Sequence, residues 1–120
     1  MATLTESRHA GEFIISEANG HRSRETVTVA AGNNLHAGHV VGKLTAGGYA
    51  EYDPAAEDGS QTPAGILFAP VNAADSGQTG VILARDCEVT GADLTFFEGA
   101  SEAQIETAAA ALAELGIIVR

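Results

Sequence analysis

The chain has 120 residues and a mass of 12.2 kDa, the size of one domain. Six basic residues against sixteen acidic ones give a formal net charge of −10. That excess of carboxylates repels phosphate backbones and anionic lipid surfaces, which excludes a general nucleic-acid binder and a membrane-surface protein.

Hydrophobic residues make up 45% of the sequence, an ordinary globular share. Their kind is less ordinary. Alanine supplies 23 of them, Val, Ile, Leu, Met and Phe together supply 28, and Trp is absent. A core built this way is thin, and oligomer contacts are a natural way to add buried area. The single cysteine, Cys87, excludes a disulfide framework and a cysteine-rich zinc fold. No apolar run is long enough for a spanning helix. Residues 1–9 lack a basic stretch followed by an apolar one, so no secretory signal is expected.

In chain order, the first 24 residues are polar apart from Phe13-Ile14-Ile15. Full burial of those three side chains is worth about 5–8 kcal/mol, and ordering the backbone costs about 1–2 kcal/mol per residue. The near balance fits an arm over residues 1–24 that becomes ordered on a partner by strand addition. The alternative is that Phe13–Ser16 is the first strand of the body, closed by a turn at Asn19-Gly20. Residues 25–120 then form a compact β-rich body.

Within the body, Thr26–Val29 alternates polar and apolar residues, as a half-buried strand does. Val40–Leu44 and Tyr49–Tyr52 read as strands joined at Gly47-Gly48. Asp53–Pro63 reads as a polar loop, Gly65–Ala69 as a short apolar strand and Asn72–Gly80 as a second loop. Val81–Val89 reads as the longest strand. Ser101-Glu102-Ala103-Gln104 fits a capping box, with Ile105, Ala108 or Ala109, Leu112 and Leu115 at helical spacing behind it and Gly116 placed to end the helix. Ile117-Ile118-Val119 reads as a short buried strand. The fold class is a small β-rich α+β unit, a bent ribbon or partial barrel with one C-terminal helix.

No catalytic or metal constellation emerges. His36-Ala37-Gly38-His39 lies in a Gly-rich segment without a nearby acid or thiol, and reads as a pair of solvated turn histidines. Cys87 sits between Asp86 and Glu88, where charge and burial both raise a thiol pKa, so it reads as a core or half-buried thiol. Glu51, Asp53, Glu57 and Asp58 lack the spacing of a calcium loop. Phosphate-loop and nucleophile-elbow patterns are absent. No cofactor is expected.

The run Gly11-Glu12-Phe13-Ile14-Ile15-Ser16-Glu17-Ala18-Asn19-Gly20, with Ser23-Arg24-Glu25 after it, resembles the N-terminal signature of lambda-type head decoration proteins of tailed phages. Ala64-Gly65-Ile66-Leu67 is similar to the Gly-Ile-Leu strand of that family, Leu94–Ser101 to its aromatic lead-in to the helix, and Gly116–Val119 to its closing strand. Where relatives often carry an aromatic followed by Pro, this chain has Phe96-Phe97. The resemblance implies a β-clip-like fold and a homotrimer on the outer surface of the expanded head, made in the bacterial cytoplasm. It implies the major capsid protein as partner, with Phe13, Ile14, Ile15 and Ser16 in the capsid-binding arm, and no catalysis. Phe96 and Phe97 are expected at the trimer contact or in the core. A trimeric dUTPase of similar fold is the enzymatic alternative. Gly65-Ile66 is followed by Leu67-Phe68, where that chemistry wants a carboxylate, and no Gly-rich tail follows Val119. A carbohydrate-binding module would need exposed aromatic platforms, and the chain has four Phe and two Tyr.

Overall fold

The computed structural model of the chain describes residues 10–20 and 22–120. Among the described residues, ten strands and one α-helix form a β-rich unit. Five of the strands close a barrel in the order β2 (Arg24–Val29), β5 (Tyr49–Glu51), β4 (Val40–Lys43), β6 (Pro63–Leu67) and β8 (Gln78–Leu83). The longest ladder joins β2 to β8 antiparallel, from Arg24 opposite Leu83 to Val29 opposite Gln78. Closure between β2 and β5 rests on one parallel contact, Val29 with Tyr49. A two-stranded ribbon, β3 (Asn33–Leu35) with β7 (Val71–Ala73), flanks the barrel. A separate sheet has the order β1 (Ile14–Glu17), β9 (Cys87–Val89), β10 (Ile117–Val119).

The hairpin at Gly47-Gly48 forms as expected, with Lys43 opposite Tyr49 and the Leu44 N–H donating to the Gly48 carbonyl at 2.9 Å. The helix α1, Glu102–Glu114, also forms as expected. Ser101 Oγ accepts from the Gln104 N–H at 3.2 Å, and Gln104 Oε1 accepts from the Ser101 N–H at 3.0 Å. Ala108 and Leu112 are its buried residues, whereas Leu115 at the cap remains 39% exposed. Gly116 has φ +89°, and a Cβ there would meet the Asp86 backbone nitrogen at 3.1 Å. The helix therefore ends where the chain must turn sharply into β10 against the β8–β9 connection.

Three expectations about the strands and turns differ from the structure. Val81–Val89 is not one strand: β8 stops at Leu83 and the chain passes Asp86, at φ +53°, into another sheet. Asp tolerates this left-handed backbone better than most residues, and the turn moves the chain from barrel to outer sheet. The predicted loop Asn72–Gly80 contributes to β7 and β8, because Val71 and Ala73 find a partner strand in β3 that local pattern does not reveal. The alternative first strand does form, as β1, but it pairs with β9 and β2 pairs with β8, so no hairpin closes at Asn19-Gly20.

Two apolar clusters fill the unit. One lies between α1, the outer sheet and the barrel, around Phe13, Ile66, Leu83, Leu112 and Ile117. The other lies in the barrel beside the ribbon, around Val29, Leu35, Leu67, Val71 and Ile82. No helix is long and apolar enough to cross a membrane among the described residues.

Candidate functional site

The segment singled out by its apolar run is divided by the fold. Phe13 is 1% exposed and belongs to the core under α1. Ile14 is half-buried and packs against the same cluster. Phe13 is thus expected as a docking side chain and found as a core one. Phe13 shares its buried cluster with Val40, Leu94 and Leu112, so its side chain is already out of water within the chain. Ile15 is 52% exposed, and Ser16 is exposed beside it.

Register explains this division. Ile14 faces Val89 and Glu17 faces Cys87, while Ser16 faces Glu88 across a shift between Ile14 and Ser16. Ile15 is the extra residue of a β-bulge, so Ile15 and Ser16 together oppose Glu88. On the far side of Glu88 is Ile118, its register partner on β10, 37% exposed. The outer face of the sheet is therefore a row with Ile15 and Ser16 at one edge, Glu88 in the centre and Ile118 at the other edge. Adjacent strands lie about 4.8 Å apart, so the two isoleucines are about 10 Å apart across the row.

The charge around this row is neutralised locally. Arg120 Nε donates to Glu88 Oε2 at 2.6 Å and Ser16 Oγ donates to Glu88 Oε1 at 3.2 Å. The Arg120 guanidinium is the main reason the Glu88 carboxyl is held below the usual carboxylate range. Arg22 pairs with Asp86 at 3.5 Å, and Arg85 pairs with Glu25 while donating to the Arg22 carbonyl at 2.8 Å. Arg24 grips Glu17 with Nε at 3.1 Å and Nη2 at 2.6 Å, and Ser23 Oγ donates to the same carboxylate at 2.7 Å. The hydrogen bond to Glu17 raises the Arg24 pKa above its ordinary value. Apart from Lys43, every described basic residue is in one of these four pairs. The pole built from β1, the start of β2, the β8–β9 turn and β10 is close to neutral. The acidic excess is carried by the rest of the surface, including the loop at Asp53, Glu57 and Asp58 and the start of α1 at Glu102 and Glu106.

The chain upstream of β1 is fastened to the barrel at the same pole. The Gly11 N–H donates to the Phe68 carbonyl at 2.9 Å. Gly11 has φ +69°, and a Cβ there would stand 2.7 Å from Phe68 Cε2, so the backbone lies directly on the ring.

Phe96 and Phe97 are half-buried and pack against the core under α1. Phe97 meets Tyr52 edge-on, with centroids 5.9 Å apart. Cys87 is buried, and burial, followed by the nearby Glu17 and Asp86 charges, pushes its thiol up to about 11. His36 is exposed as expected, but His39 is buried and paired with Glu51 rather than solvated. The ring finds an acid on β5, which the spacing along the chain does not show. His9 and His21 lie outside the described residues. No group of three or more His, Cys, Asp or Glu that could hold a metal ion occurs among the described residues. The bulge at Ile15 and the neutral pole were not legible beforehand; four arginines within reach of acids at one pole is a pattern only the fold assembles.

A small β-rich unit with a neutral, partly apolar pole on an otherwise acidic body has the form of a surface-docking structural protein. The chain belongs to the bacteriophage lambda head decoration protein D family, whose model matches residues 3–117, nearly the whole length. It is a capsid decoration protein of a phage head, with its place on the capsid exterior. No curated protein matches the chain.

Proposed function

We propose that the chain is a cement subunit that seats as a homotrimer on the expanded head, against the major capsid protein, and holds the shell against the pressure of packaged DNA. The observation that carries this reading is the neutral pole. Desolvating unpaired charge is expensive, so a protein of net charge −10 docks most readily through a face where four carboxylates, Glu17, Glu25, Asp86 and Glu88, each already have an arginine. Ile15 and Ile118 supply exposed apolar area on that face.

β1 is an edge strand of its sheet among the described residues. An edge strand offers main-chain donors and acceptors to an incoming strand, with specificity from alternate side chains. Residues 10–17 act in this reading as the ordered base of the capsid-binding segment, with Ile15 and Ser16 as contacts and Phe13 as the anchor holding them in place. The acidic remainder faces solvent and keeps neighbouring copies apart. It also gives the outer surface no affinity for nucleic acid or anionic membrane.

The mechanism is linkage. A ligand that binds the expanded lattice and not the compact precursor stabilises the expanded lattice by its binding free energy. Three copies in one particle make the second and third contacts intramolecular, so a modest affinity per subunit suffices. The test is co-sedimentation of purified protein with expanded and unexpanded heads, alongside light scattering of the free protein. Capture by expanded heads alone, from a trimeric solution species, supports the reading. A monomer that binds both or neither overturns it.

A further inference from the structure

The turn before β4 holds an ionisable pair that the docking pole does not use. His39 is 5% exposed, and its Nε2 lies 2.5 Å from Oε2 of Glu51 on β5. Its Nδ1 is buried without a hydrogen-bond partner. The main chain around the ring joins four segments. The His39 carbonyl accepts from the Leu67 N–H of β6 at 2.9 Å, and the Val40 carbonyl accepts from the Tyr52 N–H at 3.0 Å. The Gly38 carbonyl accepts from the Thr95 N–H at 2.9 Å, and the Val40 N–H donates to the Thr95 carbonyl at 3.0 Å. Thr95 lies in the segment that carries Phe96 and Phe97 and delivers the chain to the Ser101 cap of α1.

We propose that His39 and Glu51 form a proton-operated latch, closed while the imidazole is neutral, that holds the segment leading into α1 against the barrel. A carboxylate can only accept, so in the closed state Nε2 carries the hydrogen and donates to Glu51, leaving a lone pair on Nδ1. Protonation turns Nδ1 into a buried donor with no acceptor. Two effects then compete. Burial penalises the cation, while the Glu51 carboxylate favours it. Burial wins, because the Glu51 side chain is 38% exposed and water screens its charge.

The groups around the ring are few. Glu51 faces it from β5, and His36 on the same turn adds repulsion when charged. β6 contributes Leu67, β3 contributes Asn33, whose Oδ1 accepts from the Glu51 N–H at 3.2 Å, and the segment before α1 contributes Thr95. Asp93 is the acidic residue of that segment, and its main-chain carbonyl closes on Gly38. Burial first, against the pull of Glu51, holds His39 below its ordinary value. An opened turn titrates near 6.5 and takes the proton first on acidification. The latch is therefore fully effective above about pH 6.5 and weakens as pH falls from there toward the folded-state value.

The test is NMR on the full-length protein, following the His39 ring and amide exchange from pH 8 to pH 5. The expected His39 midpoint is below 6.5. Protection at Val40, Leu67 and Thr95, corrected for intrinsic exchange, should fall by about tenfold for each pH unit separating the closed and open titrations, while Val27 and Ile82 in the β2–β8 ladder hold steady. Glu51→Gln should lower the midpoint further, and His39→Gln should remove the selective pH dependence. A midpoint at or above 6.5, equal loss in both sets of amides, or an unmoved midpoint in Glu51→Gln overturns the proposal. Should His39→Gln fail to fold, the native chain and Glu51→Gln still decide it.

Discussion

Arg24 lies over the ring of Phe68, its guanidinium carbon 4.1 Å from the centroid, while both of its prongs hold Glu17. One side chain of β2 thus holds the end of β1 and packs on a ring just past the end of β6. Arg24→Lys keeps the charge and loses the planar fork that makes both contacts. The expected cost is about 1–2 kcal/mol in urea unfolding. Hydrogen exchange should rise first in β1. A stability equal to that of the native chain would show that the contacts at this pole hold nothing together.

Phe13 and Ile15 stand two residues apart and are expected to fail differently. Phe13→Ala empties a fully buried site and should cost about 3–5 kcal/mol, read as a large drop in thermal midpoint. Ile15→Ser should change stability by no more than about 0.5 kcal/mol, since the side chain is mostly in water. In a head-binding assay it should nevertheless weaken attachment, whereas Glu57→Gln on the acidic loop should not. Unimpaired capture by Ile15→Ser would remove the outer row from the docking surface.

Removing residues 1–9 leaves Phe13, Gly11 and β1 in place, so a folded body is expected by circular dichroism. Cutting through Ser16 takes away a core side chain and an edge strand, and should lower stability sharply. Comparing the two truncations separates binding by the first residues from support by β1.

Cys87 gives a pH-dependent readout. The unfolded thiol ionises near 8.5 and the folded one at about 11. The folded state therefore keeps its proton longer, and stability should be complete below about pH 8.5 and decline as pH rises toward 11. Tyr49 and Tyr52, also raised by burial, push in the same direction. In the native protein at pH 8 the thiol should resist a disulfide reagent and react only on unfolding. Rapid modification without unfolding would contradict its burial.

Ser101→Ala removes the acceptor for the Gln104 N–H and should cost about 0.5–2 kcal/mol, with the loss visible as fraying at the start of α1. An unchanged thermal midpoint would mean that packing of Ala108 and Leu112 alone fixes the helix start.

What the sequence determined by itself was whatever depends on near neighbours. The helix and its cap and the Gly47-Gly48 hairpin follow from contacts within a few residues, and periodicity records those. Composition also gave the acidic charge, and the ordered motifs gave the family resemblance that the match over residues 3–117 bears out. Tertiary structure alone decided the partners of short strands. Three-residue elements such as β3 and β7 carry too little pattern to announce a partner about 40 residues away. The same holds for the docking pole and the latch. Phe13 goes inward and Ile15 outward because of a bulge opposite Glu88, and His39 meets Glu51 because β5 pairs alongside β4 in the barrel. A side chain's exposure is set by what the fold places over it, and that depends on residues far away in sequence.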